Sequence, residues 1–182
     1  LFKVENRTNA LTITSSNVEI PLTSKFFISF QKSYHEYWFY SPAKQPGSFS
    51  RTMIPDVSFQ TPKDPQGTKQ IIVIDAKYRI DKQLNDAISS LHMYRDAIVQ
   101  ESSAGTKKAV AGAYIVTPHI PGEDTVNGKT DWKNENMPAR LFHPIYRNNF
   151  NFGAISLTPS MDDDAISSSL RVLFADAGIK LN

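Results

Sequence analysis

Two aspartates and one lysine are the residues whose types and spacing indicate chemistry. Asp56 follows a proline, and Asp75 and Lys77 stand at the end of an aliphatic run further along the chain. Carboxylate oxygens suit Mg²⁺ or Mn²⁺, which keep bound waters that a phosphate can displace. A lysine beside such an ion positions the attacking water or offsets charge in the transition state. These three residues are the candidate catalytic and metal-binding set for hydrolysis of a phosphate ester.

A simpler interpretation stays open at this point. Asp56 can be a turn or cap residue, and Asp75 with Lys77 can be the charged end of an ordinary strand, because short motifs match by chance. The context favours a site, since the two charges follow the aliphatic run Ile71–Ile74, where burial of an unpaired charge is costly.

Two strands are expected to bring these residues together. We predict them from about Met53 to Phe59 and from Gln70 to Tyr78, with a turn-rich stretch between them. Because side chains alternate between the two faces of a strand, Asp75 and Lys77 share one face. The run Ile71–Ile74 does not alternate, which indicates a strand that is covered on both faces.

The remaining elements are predicted from periodicity and from turn residues. They are a strand extension in residues 1–22 with a turn near 15–17, helices at about 25–40 and 82–100, strands at 110–117 and 152–157, and a last helix that begins near Ser160 and Asp163, which resemble a capping box. The three aspartates at 162–164 suit the N-terminus of that helix. This order predicts an α/β fold with a central mixed sheet and helices on both sides.

The segment from His119 to Asn149 is long for a plain loop in a compact domain, and we interpret it as a binding insert. Within it, Lys133, Arg140 and Arg147 are candidate nucleic-acid contacts. Its histidines lack ligand-type partners at metal spacing. The pair at 107–108 is basic too, but two lysines before a strand are more often a solvated turn.

Composition and charge are those of one globular domain, 1–182. Hydrophobic residues make up 40% and charged residues 21%, and the net charge is only +2, so any nucleic-acid contact must come from a local patch. Cysteine is absent, which excludes disulfides and thiolate metal sites. No apolar run approaches the roughly 18 residues of a membrane helix, and we expect a cytoplasmic protein. Because the chain begins at Leu1, we expect it to be part of a longer protein.

Five ordered blocks resemble the PD-(D/E)XK restriction-endonuclease-like superfamily. Within it, they are most similar to bacterial McrC-related nuclease domains that are often encoded beside defence NTPases. The resemblance extends from about Tyr34 to Phe174, which gives a nuclease core at 34–176. The blocks are His-Glu-Tyr-Trp at 35–38, Pro-Asp at 55–56, Ile-Val-Ile-Asp-Ala-Lys-Tyr-Arg at 72–79, Leu-His-Met-Tyr-Arg-Asp-Ala-Ile at 91–98 and Phe-Gly-Ala-Ile-Ser-Leu-Thr-Pro at 152–159.

The resemblance implies a restriction-endonuclease-like three-layer fold and a Mg-dependent DNA endonuclease that acts in restriction or phage defence. It implies that Asp56, Asp75 and the Ala76 carbonyl bind the metal and that Lys77 is the catalytic lysine. Glu36 would be a further catalytic and metal-binding carboxylate, carried by the first helix. On a helical wheel Glu36 lies opposite the aromatic stripe of that helix, so it faces either the site or water.

The helix after the Asp-x-Lys block supplies His92, Tyr94 and Arg95 as candidate nucleic-acid contacts. Related nucleases often place a glutamine four residues before the tyrosine, where this chain has Ser90. Tyr94 lies on the apolar face and is open to a core role, and His92 to simple solvation. Arg95 is open to pairing with an aspartate, either Asp75 or its neighbour at 96, in place of a phosphate.

The expected partners are DNA, a second copy of the chain for double-strand cutting, and an NTPase subunit or domain, since the chain has no phosphate-binding glycine loop. A non-catalytic nucleic-acid-binding or assembly module with the same fold is the alternative from a different class. Hydrolysis of RNA is a third interpretation.

Overall fold

Asp75 lies in the central sheet of the computed structural model of the chain, and Asp56 and Lys77 lie at the ends of two of its strands. The structure describes residues 6–7, 10–11, 18–21, 26–40, 45–61, 68–78 and 80–179. Its strands are β1 (Asn6–Arg7), β2 (Ala10–Leu11), β3 (Val18–Pro21), β4 (Phe27–Phe30), β5 (Gly47–Ser48), β6 (Val57–Gln60), β7 (Ile71–Ala76), β8 (Ile98–Ser102), β9 (Gly105–Lys108), β10 (Val110–Thr117) and β11 (Phe152–Ser156). Its helices are α1 (Tyr37–Tyr40), α2 (Ile80–Ala97), α3 (Glu123–Val126), α4 (Ala139–Phe142), α5 (Pro144–Phe150) and α6 (Asp163–Asp176).

Six strands form a mixed sheet in the order β11-β10-β7-β6-β4-β3. The three strands β11, β10 and β7 run parallel, whereas β6, β4 and β3 join them by antiparallel pairing. Helix α2 packs on one face of the sheet and α6 on the other. The predicted three-layer α/β architecture is confirmed. β1, β2 and β3 fall in the predicted strand extension, and the turn predicted near residues 15–17 lies outside the described residues.

Strand β7 is central because its side chains suit burial on both faces. Ile71 and Val73 join the core under α2, whereas Ile72 and Ile74 join the core under α6. None of the four is more than 4% exposed. Asp75 continues the first series, so its side chain lies on the α2 face.

The predicted helix at 25–40 is wrong over most of its length. Phe27–Phe30 is strand β4, which pairs with β3 and β6, and only Tyr37–Tyr40 is helical. Phe and Ile also favour strands, and the aromatic spacing that suggested one helix fits a strand that is followed by a turn. Gln31 has a positive φ of 48° where β4 ends. Pairing on both sides of β4 therefore outweighs the local periodicity.

The predicted helix at 82–100 is confirmed as α2 with shifted ends. Its Ala87, Leu91 and Ala97 are buried toward the sheet. At Ile98 the chain enters β8, which pairs with β5 and β9 in a second, smaller sheet. Lys108 in β9 forms an ion pair with an aspartate near the end of α2, on the protein surface. Over the described ranges no helix, α2 included, is long and apolar enough to cross a membrane.

The insert at 119–149 is not a plain loop, because it contains α3, α4 and most of α5. Trp132, Tyr146 and Phe150 form an aromatic cluster with ring centroids 4.8 to 5.7 Å apart. His143 is buried at the start of α5, where its Nδ1 accepts a hydrogen bond from the backbone N–H of Ile145. The insert is therefore packed around its own side chains.

The last helix is confirmed as α6, but its capping residue differs from the prediction. Asp162 is the N-cap, and its carboxylate accepts a hydrogen bond from the backbone N–H of Ala165 at 2.8 Å. Asp163 and Asp164 stand in the first turn, where carboxylates are favourable. The hydroxyl of Ser160 instead lies 3.0 Å from that of Thr158. An N-cap aspartate replaces the expected capping box.

Candidate active site

Antiparallel pairing places Asp56 opposite Asp75. In the register of β6 and β7, Val57 stands opposite Ile74, and one further step puts the two aspartates side by side. Both side chains lie on the α2 face, since alternate residues of a strand share a face. The Asp56 Oδ2 atom also accepts a hydrogen bond from the backbone N–H of Ala76 at 2.9 Å. The position of the carboxyl pair is therefore fixed by the backbones of two strands.

Lys77 completes the cluster. Its Nζ lies 2.8 Å from Asp75 Oδ2, and its backbone N–H donates to the carbonyl of Val116 at 2.8 Å. The side chain of Lys77 is 22% exposed and that of Asp75 is 4% exposed, so the ion pair is largely removed from water. Apart from the Lys77 ammonium, no donor among the described groups makes a hydrogen bond to Asp75 Oδ2. That oxygen can accept a further ligand.

Burial raises the pKa of the Asp75 carboxyl above its ordinary value. Lys77 lowers this pKa and the neighbouring Asp56 carboxylate raises it, and the net direction is upward. The fold thus holds negative charge where that charge is disfavoured. A divalent cation between the two carboxylates would relieve this cost.

Asp56, Asp75 and the Ala76 carbonyl fit Mg²⁺ or Mn²⁺ as ligands. Because the N–H and C=O of one residue in a strand point to the same side, the Ala76 carbonyl faces the same way as the N–H that Asp56 binds. Mg²⁺ is commonly held by one or two carboxylates, while waters and substrate phosphates fill its other positions. In the part of the chain that the structure describes, no three His, Cys, Asp or Glu residues cluster. The residues therefore fit the two-carboxylate mode of binding.

We expect Asp75→Asn to raise the free energy of unfolding of the metal-free protein at neutral pH, because it removes a disfavoured buried charge. The folded-state pKa of Asp75 lies above the unfolded-state value, so its contribution to stability is fully present below the unfolded pKa and is lost as pH rises through the folded pKa. The variant should lack this decrease in stability with rising pH. Thermal denaturation in EDTA between about pH 4 and pH 8 measures the stability of the wild type and of the variant as a function of pH. A variant less stable than the wild type at neutral pH would contradict the prediction.

The structure does not bring Glu36 to the carboxyl pair. Its backbone forms a bridge with Ser48, beside the smaller sheet. Since Glu36, Asp56 and Asp75 are all described and no three acidic residues cluster, the expected metal role of Glu36 is corrected. The physical reason is the loss of the long first helix, which is replaced by β4 and a single helical turn.

Tyr94 contacts the segment that carries Asp56. Its hydroxyl donates a hydrogen bond to the carbonyl of Ile54 at 3.2 Å. Burial raises the pKa of Tyr94 to about 12, the charges of Asp75 and Asp56 raise it too, and Arg51 lowers it. The hydroxyl therefore stays protonated at neutral pH and remains a donor. Tyr94 is a positioning residue beside the site, and its contact with nucleic acid stays a prediction.

His92 and Arg95 stay predictions as nucleic-acid contacts. The exposed ring of His92 stacks on Phe152 with centroids 4.7 Å apart, and Phe152 begins β11, two strands from β7. Arg95 forms neither of the ion pairs considered for it, and each of the two aspartates pairs with a lysine. The structure therefore leaves a contact with a phosphate as the expectation for Arg95.

Two basic residues of the insert are used by the fold itself. Arg147 is buried, its Nε lies 3.0 Å from Asp176 Oδ2, and its Nη1 donates to the carbonyl of Phe142. The half-buried Arg140 donates to backbone carbonyls in the loop at 132–135. The buried Arg147 would have to give up these bonds to reach a phosphate, which corrects its predicted role as a nucleic-acid contact. The bonds of the half-buried Arg140 involve its Nε and Nη2 atoms, and its contact with nucleic acid stays a prediction.

Two exposed cations keep free access to a ligand. Lys133 has its Nζ 5.9 Å from the ring centroid of Trp132, and it stays a predicted nucleic-acid contact. Arg51 was not predicted, and its Nη2 lies 3.2 Å from the Sδ of Met93, next to Tyr94. The sequence held one weak signal for Arg51, which is a basic residue a short distance before the Pro-Asp block.

A known protein family matches this chain. The family description is the PD-(D/E)XK nuclease superfamily, and its model matches residues 20–121. The matched stretch includes Asp56, Asp75 and Lys77, together with strands β4, β6 and β7 and helix α2. No curated protein and no solved structure gives a match. Because the family match covers more than half of the chain and contains the clustered charges, the chain belongs to the PD-(D/E)XK nuclease superfamily.

Proposed function

We propose that the chain is a metal-dependent endonuclease that hydrolyses phosphodiester bonds in DNA. The supporting observation is that Asp56, Asp75 and Lys77 meet on one face of adjacent strands, with the ammonium 2.8 Å from the Asp75 carboxylate. Membership of a nuclease superfamily supports hydrolysis of nucleic acid. DNA as the substrate and Mg²⁺ or Mn²⁺ as the cofactor are the finer parts of the proposal.

Each residue has a defined role in the proposed reaction. Asp56, Asp75 and the Ala76 carbonyl would hold Mg²⁺, which when bound lowers the pKa of a water and polarises the scissile phosphate. The Lys77 ammonium orients the attacking water or offsets charge on the pentavalent phosphorus of the transition state. Tyr94 holds the segment that carries Asp56 through its bond to the Ile54 carbonyl.

The proposed biological setting rests on the resemblance to McrC-related domains. We propose that the nuclease acts in restriction or phage defence, with an NTPase subunit or domain as its partner. A homodimer would supply one site for each strand of a duplex.

A non-catalytic nucleic-acid-binding or assembly module is the second candidate. One observation favours it: over the described residues, no third acidic residue joins the carboxyl pair. Ser90 also stands where related nucleases often have a glutamine. Against this candidate, all three charged residues of the motif are present and face one another.

A cleavage assay on labelled substrates separates the two candidates. Matching DNA and RNA oligonucleotides, single-stranded and duplex, are incubated with the protein in EDTA, Mg²⁺ or Mn²⁺. We expect DNA products with either metal and none in EDTA. Products from RNA alone would identify RNA, and not DNA, as the substrate. The absence of products from any substrate, by a folded protein that binds nucleic acid, would reject the enzyme and support the binding module.

A further inference from the structure

An open pocket of about 430 Å³ lies between the segment 49–53 and the end of α2. Apolar side chains line most of it, namely Phe49, Met53, Met93 and Ala97, and the exposed Arg51 and Asp96 stand at its rim. The pocket volume falls within the range of small-molecule sites, which are typically roughly 300–1,000 Å³ and mostly apolar with a few polar groups. The volume and the mostly apolar lining are therefore compatible with a small apolar group that carries polar edges.

The pocket and the carboxyl pair are parts of one surface. Met53 in the pocket wall stands three residues before Asp56, so their Cα atoms are at most about 11 Å apart. Tyr94 connects them, because its hydroxyl binds the carbonyl of Ile54 between those two residues. Since successive nucleotides of a stacked strand are ~3.4 Å apart, a group in the pocket lies within about three nucleotides of a phosphate at the carboxyl pair.

The pocket presents exposed apolar side chains, and the cationic Arg51 stands beside them. Phe49 is 48% exposed and Met93 is 36% exposed. Within the described part of the chain, no carboxylate lies within ion-pair distance of Arg51, and its guanidinium rests against the thioether of Met93. By contrast, Asp96 is already paired with a lysine. The charge that remains available at the rim is therefore the positive charge of Arg51. It suits a phosphate group that adjoins a base held in the pocket.

We propose that this pocket holds an unpaired nucleobase of the substrate strand, stacked on Phe49, while Arg51 contacts a neighbouring phosphate. The inference rests on the proposed nuclease function and gives it a substrate class, which is single-stranded or locally unpaired nucleic acid. Aromatic stacking accepts any base, because every base has a π-face. A base that is paired inside an intact duplex keeps both of its faces stacked on its neighbours, so stacking on Phe49 requires a base that has left the duplex.

An abasic scan of a bound oligonucleotide tests the pocket directly. The probe is a fluorescein-labelled single strand of DNA with one abasic position that is moved along it, and Kd is measured by anisotropy on Lys77→Met protein in Mg²⁺ so that the probe stays intact. We expect one position at which loss of the base weakens binding about tenfold. With Phe49→Ala added, the intact probe should bind about tenfold more weakly, and the abasic position should cause no further loss. The pocket would be overturned if the losses of affinity from Phe49→Ala and from the abasic position were additive. It would also be overturned if Phe49→Ala lost equal affinity for a duplex of the same sequence.

Salt dependence tests the role of Arg51. Each phosphate contact to a single strand contributes roughly 0.7 to the slope of log Kd against log salt, so Arg51→Ala should lower that slope by about 0.7. Arg171→Ala is the matched control for Arg51→Ala, and Val172→Ala is the control for Phe49→Ala. Both control residues are exposed on α6, on the opposite face of the sheet. An unchanged slope in Arg51→Ala would overturn the phosphate contact.

Ser50→Trp provides a second variant that fills the pocket, because Ser50 is exposed and lines it. Wild-type affinity for the single strand in this variant would overturn the proposal, and weaker binding would support it. None of these binding measurements needs cleavage. Failure of the nuclease function appears as no products from the wild type, whereas failure of the pocket appears as an additive abasic scan in a protein that cuts.

Discussion

Lys77→Met should lower the rate constant for DNA cleavage by about 10²- to 10³-fold while the protein stays folded. The methionine keeps the apolar stem of the lysine but removes the ammonium that lies 2.8 Å from Asp75 Oδ2. With only 22% of its side chain exposed, this charge acts in a partly desolvated site, where its effect on the transition state exceeds that in water. Single-turnover cleavage of labelled DNA at saturating Mg²⁺ measures the change. Asp75→Ala should abolish cleavage in the same assay.

Lys32→Met is the matched control for this variant. Lys32 also lies 2.8 Å from a carboxylate, that of Glu19, and its side chain is 25% exposed, but the pair belongs to the far edge of the sheet. We expect it to cleave at close to the wild-type rate. Cleavage by Lys77→Met within about twofold of the wild type would remove Lys77 from the catalytic residues. Equal loss in both variants would indicate a general effect of losing an ion pair.

Arg147→Met should lower the free energy of unfolding by about 3–5 kcal/mol, the usual cost of removing one partner of a buried ion pair. The side chains of Arg147 and Asp176 are each 9% exposed, and their atoms lie 3.0 Å apart. The guanidinium also donates to the carbonyl of Phe142, so one substitution leaves two buried acceptors without their donor. Urea denaturation followed by circular dichroism measures the loss.

The pH dependence of the stability loss and a double variant test whether the broken ion pair is its cause. Burial raises the pKa of Asp176 and Arg147 lowers it, so without Arg147 the carboxyl takes up a proton more readily. The loss of stability should therefore be largest at high pH and shrink as pH falls and Asp176 is protonated. Arg147→Met combined with Asp176→Leu should recover much of the loss, because no buried charge remains. A loss below about 1 kcal/mol in the single variant would place this pair among weak surface ion pairs.

The central strand pair was predictable because its signals are local and strong. The run Ile71–Ile74 has no alternation and therefore indicated a buried strand, and the charges at 75 and 77 had to emerge at its end. The helix that follows showed clear 3.6-residue periodicity. These two signals indicated the α/β architecture and placed Asp75 and Lys77 at the end of a buried strand, whereas Asp56 was indicated by the Pro-Asp pair in the strand predicted from about Met53 to Phe59.

The role of Glu36 was not predictable from local patterns. Its placement depended on a long helix that the aromatic spacing suggested, whereas the start of that segment is strand β4, which pairs with the preceding β3 and with β6 further along the chain. Arginine residues pose a similar problem, because a buried and an exposed arginine look identical in a sequence. Arg147 finds its partner 29 residues away in α6, and Arg140 binds only backbone carbonyls. Residue types without periodicity cannot reveal such contacts.

Because Asp56 and Asp75 face each other through the register of β6 and β7, the same site can form on other pairs of antiparallel strands. Its geometry depends on which residues face each other across two paired strands and not on the length of chain that connects them. A slip of one residue would turn Asp56 toward α6 and separate the carboxyl groups, whereas a longer connection would leave them in place. Distant relatives can therefore differ widely in the interval between the two aspartates and share the same centre. A designer who moves this centre to another antiparallel pair has to copy the register first.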